Sequence, residues 1–219
     1  MTERQTVLIT GVAGLMAALL VGLGEFLLHY DPLGRFGQGL SFMQGISESR
    51  ATLGHFIGVL GSPLYILGAW HIQIMLRPAS KLLAVIAFLL MSYGLMVGAV
   101  WIGSRASAIT IINLDASQDV SHRLLLLYDL RYENLLLATR ITILAMSAIF
   151  AMICLTGRSH YPRWMAALNP IALILLSFAA YFTIPALGNL IMPIALNLAF
   201  FILFSTSLLI ANRQFGKRD

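Results

Sequence analysis

Glu25 and His29 stand four residues apart in the run Gly24-Glu25-Phe26-Leu27-Leu28-His29-Tyr30-Asp31, at the end of a stretch otherwise fit for lipid. On a helix these two side chains share one face. A carboxylate so close to hydrocarbon is costly unless it has a partner or a task. His55 on a second apolar stretch, Trp101 and Arg105 on a third, and Asp129, Glu133 and Arg140 on a fourth fall at a similar depth. Asp129, Glu133 and Arg140 sit at i, i+4 and i+11, one stripe of a helix. Glu25 and Glu133 balance Arg105 and Arg140 in charge, as a buried ion-pair network requires.

Four kinds of chemistry fit these residues. The first is structural: the ion pairs lock helices together and no ligand is involved. The second is a metal site in which Glu25, His29 and His55 supply one oxygen and two imidazole nitrogens, with Asp129 or Glu133 as a fourth ligand. Two histidines and a carboxylate suit zinc or iron. Such an ion could activate water against an ester, amide or phosphate of a lipid, with Arg105 and Arg140 holding an anionic head group. The third is metal-free proton transfer by a carboxylate and a histidine in a low-dielectric pocket, with Glu25, His29, His55 and Glu133 as candidates. It would serve an isomerase of an apolar substrate or a proton-coupled carrier, although no ionisable residue lies near the bilayer midplane, where carrier sites are usual. The fourth is haem ligation by His55. His71 lies sixteen residues further on, roughly 160° around the helix, and has no evident mate because His160 falls in a loop.

Each of these residues also has a plainer reading. Trp101 and Arg105, four apart, fit an interfacial aromatic beside a snorkelling arginine as well as a ligand contact. His71, with Trp70 and Gln73, fits a hydrogen-bonded anchor. Asn189 shares a helix face with Pro193 and Asn197, and Asn in a membrane helix usually bonds a neighbouring helix or lines a binding site. The residues name no protein family.

The elements that must position these groups follow from composition. Of 219 residues, 59% are hydrophobic and 11% charged, where a soluble domain carries about 25% charged residues. Apolar runs of about 20 residues, enough to cross about 30 Å of hydrocarbon, recur along the chain. The pattern predicts an all-α, polytopic bundle forming one membrane domain, with six spans at about 6–29, 52–76, 81–105, 134–157, 166–187 and 190–211. The first span is too long, and lacks the small-residue cleavage pattern, for a removed signal peptide, so it is expected to stay as a structural helix.

Gly11, Gly14, Gly22 and Gly24 give the first span a small-residue face for close packing, and Gly94 and Gly98 do the same for the third. Gly61-Ser62-Pro63 predicts a kink in the second. The segment 32–50, with Gly34, Phe36, Gly37, Gly39, Leu40, Phe42, Met43 and Gly45, predicts an external loop with a short interfacial helix. Asp115 to Asp119 offers capping residues for a helix that starts near 118 and runs on into the fourth span. Asn169-Pro170 reads as a helix start.

Arg4, Arg77, Lys81, Arg158, Arg163, Arg213, Lys217 and Arg218 fall on one side of a six-span chain, which predicts that both termini are cytoplasmic. Arg35, Arg50, Arg105, Arg123 and Arg131 on the other side weaken that asymmetry. All acids except Glu3 and Asp219 fall on or near that side. The small size and absent sorting signals point to a bacterial inner membrane. The net charge of +5 resides at span ends, so no nucleic-acid partner is expected. Cys154 is the single cysteine, which excludes an intrachain disulfide. The expected partners are membrane lipids and a lipid-like or apolar ligand, bound in a polar pocket of the outer half of the bilayer.

Overall fold

A computed structural model of the protein describes residues 1–35, 39–114 and 117–216. Phe36, Gly37, Asp115, Lys217, Arg218 and Asp219 lie outside the described residues. The described chain is helical and holds no strand: α1 (Glu3–His29), α2 (Glu48–Gly61), α3 (Leu64–Leu76), α4 (Lys81–Ile112), α5 (Gln118–Thr156), α6 (Pro170–Thr183), α7 (Pro185–Ile191) and α8 (Ala195–Phe215). Five apolar helical stretches are long enough to cross a membrane: Glu3–His29, Glu48–Leu76, Lys81–Ile112, Asp119–Thr156 and Pro185–Phe215. They mark a multi-pass membrane protein.

Local sequence explains the boundaries. The second stretch breaks at Ser62-Pro63, where proline cannot donate to the helix ladder. There the Ser62 hydroxyl donates to the Gly58 carbonyl at 2.7 Å. α4 runs to Ile112, past the expected end at 105, and α5 is one unbroken helix from Gln118 to Thr156. Gly157 ends α5 in the left-handed region at φ +67°, where a side chain would be strained. The expected fifth span, 166–187, is divided. A 3-10 turn covers Arg163–Leu168, the Asn169 side chain caps α6 by accepting from the Ala172 amide, and α6 has 14 residues, about 21 Å of helix. Pro185 and Pro193 then break the chain into α7, a 3-10 turn at Met192–Ile194, and α8.

α1 lies at the centre, packed on α2, α3 and α8. Its glycines let backbones meet: a Cβ on Gly14 would fall 2.8 Å from the Gly68 Cα, and one on Gly24 would fall 2.6 Å from the Gly58 amide nitrogen. α4 and α5 form an antiparallel pair, with the Thr139 hydroxyl donating to the Gly94 carbonyl at 3.1 Å.

At one end of the bundle His71, fully buried, ties three helices together. Its Nδ1–H donates to the Val7 carbonyl at 2.8 Å, and in the neutral ring Nε2 accepts from the Ser207 hydroxyl at 2.6 Å. The Tyr161 hydroxyl joins Ser207 at 2.6 Å. Burial pushes the Tyr161 phenol above its ordinary range, against the lowering effect of that bond. Arg4 lies beside Gly216, Arg77 pairs with Glu3 at 3.6 Å, and the His160 amide donates to the Met75 carbonyl. The start of α1, the end of α8 and the turns carrying Arg77 and Arg158 therefore share this end.

At the other end, residues 30–35 and 39–47 lie between α1 and α2, with a 3-10 turn at Ser41–Met43. The Gly45 amide donates to the Asn113 side chain at 2.9 Å, from a backbone at φ +83° that glycine alone adopts freely. Asp31 organises the loop's start. Its carboxylate accepts from the Arg35 side chain at 2.8 Å and from the amides of Arg35 and Leu33. The hydrogen-bonded Arg35 guanidinium, helped by those amides, holds the Asp31 carboxyl down to about 2 from 3.8. A carboxyl whose folded pKa is depressed contributes stability above its unfolded pKa and loses it as pH falls through the folded value. Hydrogen-exchange protection of the Leu33 and Arg35 amides, corrected for intrinsic rates, should therefore hold near neutrality and fall from about pH 4 to about pH 2. Asp31→Asn should abolish that step and lower neutral-pH protection roughly tenfold.

Candidate functional site

A cavity of about 960 Å³ opens among α1, α4, α5, α6 and the start of α8. Most of its wall is apolar, including Val21, Leu95, Leu136, Ile143 and Ile174. Glu25, His29, Tyr65, Trp101, Arg105, Asp129, Glu133, Arg140 and Asn197 also line it, so three faces built separately meet here. α1 brings Glu25 and His29 on one stripe, α4 brings Trp101 and Arg105 on another, and α5 brings Asp129, Glu133 and Arg140.

Arg105 is the hub. It is 3% exposed, buried rather than snorkelling. Its Nε–H donates to His29 Nε2 at 2.9 Å, and Nη1 donates to Glu133 Oε1 at 2.8 Å and to the Tyr128 hydroxyl at 3.3 Å. Its guanidinium carbon lies 4.6 Å from the centre of the Trp101 ring, a cation–π distance. The Trp101 indole N–H also points to Glu133 Oε1, at 3.4 Å. Directions are fixed further out: Ser104 donates its hydroxyl proton to the Trp101 carbonyl, so the Tyr128 hydroxyl donates to Ser104.

Because an arginine can only donate, His29 Nε2 must be an unprotonated acceptor. The ring is thus the neutral tautomer with its proton on Nδ1. Nδ1 lies 3.9 Å from Glu25 Oε1. Glu25 is held on its other side, where the Asn197 Nδ2–H donates to Oε2 at 2.5 Å. The Asn197 Oδ1 in turn accepts from the Tyr65 hydroxyl at 2.6 Å. A line of polar groups thus runs from Tyr65 through Asn197, Glu25, His29 and Arg105 to Glu133.

The expected constellation is brought together in part. His55 lies away from the cavity wall, its Nδ1 on the Gly103 carbonyl at 2.9 Å, joining α2 to α4. Asn189 sits on α7 against Gly34, separate from the cavity that Pro193 and Asn197 line. The four side chains weighed as metal ligands, Glu25, His29, His55 and Asp129, are not gathered. His29 Nε2 is occupied by Arg105, His55 faces α4, and Asp129 is exposed on α5. Among the described residues, no three His, Cys, Asp or Glu side chains stand close enough to hold a metal ion. Arg140 is exposed at the cavity edge instead of pairing with Glu25 or Glu133.

Tyr65, Tyr128 and Asn197 are site residues that the spacing of charges does not reveal. Asn197 carried a signal as a polar residue on an apolar helix, but its partner lies 172 residues earlier. Tyr65 and Tyr128 look in sequence like any other membrane aromatics.

Residues 1–214 match a protein family described as a family of unknown function (DUF6796). No curated protein matches the chain. No solved structure matches it either.

Proposed function

We propose that this chain, which belongs to the DUF6796 family, is a six-crossing inner-membrane protein that binds a lipid-like or apolar molecule in the cavity beside Arg105. The sixth crossing is α6. It leaves the end of the bundle where Tyr161 meets Ser207, and the chain re-enters α8 at the opposite end, where Asn197 meets Glu25. With six crossings both termini share a side, and Arg4, Arg77, Arg158, Arg163 and Arg213 favour the cytoplasm for it.

One observation carries the binding reading. The cavity has the size of a small-molecule site, about 960 Å³, with an apolar wall and a few converging polar groups. Its edge runs between α5 and α6, where the lining residues Leu144 and Phe178 are 55% and 41% exposed. Exposed apolar side chains on membrane helices face lipid, so a molecule dissolved in the bilayer enters sideways without crossing water.

A second reading, proton transfer on the bound molecule, is favoured by the placement of Glu25 and His29 on the cavity wall. There the carboxylate and the Nδ1–H of a neutral imidazole face the same space.

The test of binding fills the cavity. Ala99→Trp places a large side chain in the wall and should lower the amount of amphiphile that co-purifies, read by native mass spectrometry, at least fivefold by volume exclusion. Equal amounts in the variant and the parent protein would overturn the reading.

A further inference from the structure

The stripe on α5 orders its charges along the membrane normal. Asp129, Glu133 and Arg140 all line the cavity within about 40° of one another around the helix. With the end of α5 at Thr156, beside Arg158, taken as the inner edge of the hydrocarbon, Arg140 stands at about 24 Å, Glu133 at about 34 Å and Asp129 at about 40 Å. The hydrocarbon is about 30 Å thick, and the head-group layers extend the bilayer to about 40–45 Å. Arg140 therefore starts inside the outer edge of the hydrocarbon and reaches outward to the level of lipid phosphates. Glu133 and Asp129 lie in the head-group layer beyond.

Among the described residues, two of these charges have no partner. Arg140 and Asp129 form no hydrogen bond or ion pair with any described residue, and both are exposed at the cavity edge. They stand eleven residues, about 16 Å, apart along the helix, too far to neutralise each other. Glu133 gives Oε1 to Arg105 and Trp101, while its other oxygen accepts no hydrogen bond from a described residue. An arginine left unpaired at this depth is expensive, and guanidinium matches phosphate in a bidentate fork.

Resting on the cavity reading above, we infer that the site selects a zwitterionic phospholipid-type amphiphile. Its phosphate sits on Arg140, its ammonium points outward to Asp129 and the free oxygen of Glu133, and its tail lies along Leu144, Ile171 and Ile174. The order of charges on α5, cation deeper and anions outward, is the mirror of such a head group in the outer leaflet. An anionic phosphoglycerol head would satisfy Arg140 and leave Asp129 without a cation. A head without phosphate would leave Arg140 unpaired.

Delipidated protein titrated with short-chain probes tests this by tryptophan fluorescence, using a phosphoethanolamine lipid, a phosphoglycerol lipid and a diacylglycerol of equal tails. The phosphoethanolamine probe should bind at least tenfold more tightly than the diacylglycerol, and several-fold more tightly than the phosphoglycerol probe. Arg140→Gln should weaken both phosphate probes about tenfold and leave the diacylglycerol unchanged, with Arg140→Lys intermediate. Asp129→Asn should erase the preference between the two phosphate probes and spare the rest. Equal binding of all three probes would overturn the inference and leave the cavity reading standing. Equal binding of the two phosphate probes by the parent protein would overturn the ammonium assignment. Failure of every probe to bind would overturn both the inference and the cavity reading.

Discussion

Replacing Arg105 with methionine should lower the thermal midpoint of the purified protein by about 10 °C. The guanidinium donates at once to His29, Glu133 and Tyr128, and it stacks on Trp101. Methionine fills much of the space and makes none of these bonds. His29 Nε2 then lacks a donor in a buried setting, at about 1–3 kcal/mol, while the Tyr128 hydroxyl keeps its bond to Ser104. The Glu133 carboxylate loses its cation, and breaking a buried pair from one side costs about 3–5 kcal/mol. That last cost is reduced here because the Glu133 side chain is 39% exposed. A net loss of about 3–4 kcal/mol corresponds to roughly 10 °C for a chain of this size. Glu133→Gln keeps an acceptor for Arg105 and should cost much less. The double variant Arg105→Met with Glu133→Gln should be more stable than the sum of the single losses by about 1 kcal/mol or more. Strict additivity would show that the pair does not join α4 to α5.

Gly24→Ala should be strongly damaging for a single added methyl group. A Cβ there meets the Gly58 amide nitrogen at 2.6 Å and the Gly54 carbonyl oxygen at 2.7 Å. Both are backbone atoms, which cannot rotate aside, so α1 and α2 must separate. Overpacking costs about 1–3 kcal/mol where side chains yield, and occasionally more; here the upper end is expected. Separation also moves Glu25 and His29 away from Asn197 and Arg105, so binding in the cavity should weaken together with stability. Gly98→Ala is the contrast. Its Cβ would rest 3.5 Å from the Thr139 methyl, an ordinary contact, and alanine favours a helix by about 1 kcal/mol. A melting midpoint for Gly24→Ala as high as that for Gly98→Ala would show that the α1–α2 crossing is looser than the geometry implies.

Much of the helical frame is legible in the residues, because lipid imposes a strong pattern. Apolar run lengths locate the long helices, Ser62-Pro63 marks the break between α2 and α3, and Asn169-Pro170 marks the start of α6. Gly24 and Gly94 identify faces that pack closely, although not which helix each face meets. The run 166–187 reads as a span from hydropathy alone. Hydropathy does not register that Ile184-Pro185 and Pro193 set off α6 and α7, with 14 and 7 residues, from the longer α8.

The site is legible in its charges and illegible in its hydrogen bonds. Glu25, Arg105, Glu133 and Arg140 stand out because ionisable groups are rare in such a chain. His55 stands out equally, yet it bonds a backbone carbonyl between two helices, a role that leaves no trace in spacing. Tyr65 and Asn197 enter the site through contacts set by how α3 and α8 pack around α1, which no local pattern encodes.

The bond between Asn197 and Glu25 bears on how the protein is made. Glu25 lies on α1 and Asn197 on α8, 172 residues later in the chain. At about 5–20 residues per second, synthesis separates them by on the order of 10–30 s. Throughout that interval α1 carries a carboxylate without its amide partner, and its histidine waits for Arg105 on α4. α1 must therefore pass that time in the insertion machinery or against early-arriving neighbours such as α2, and this contact of the bundle closes only when α8 is delivered.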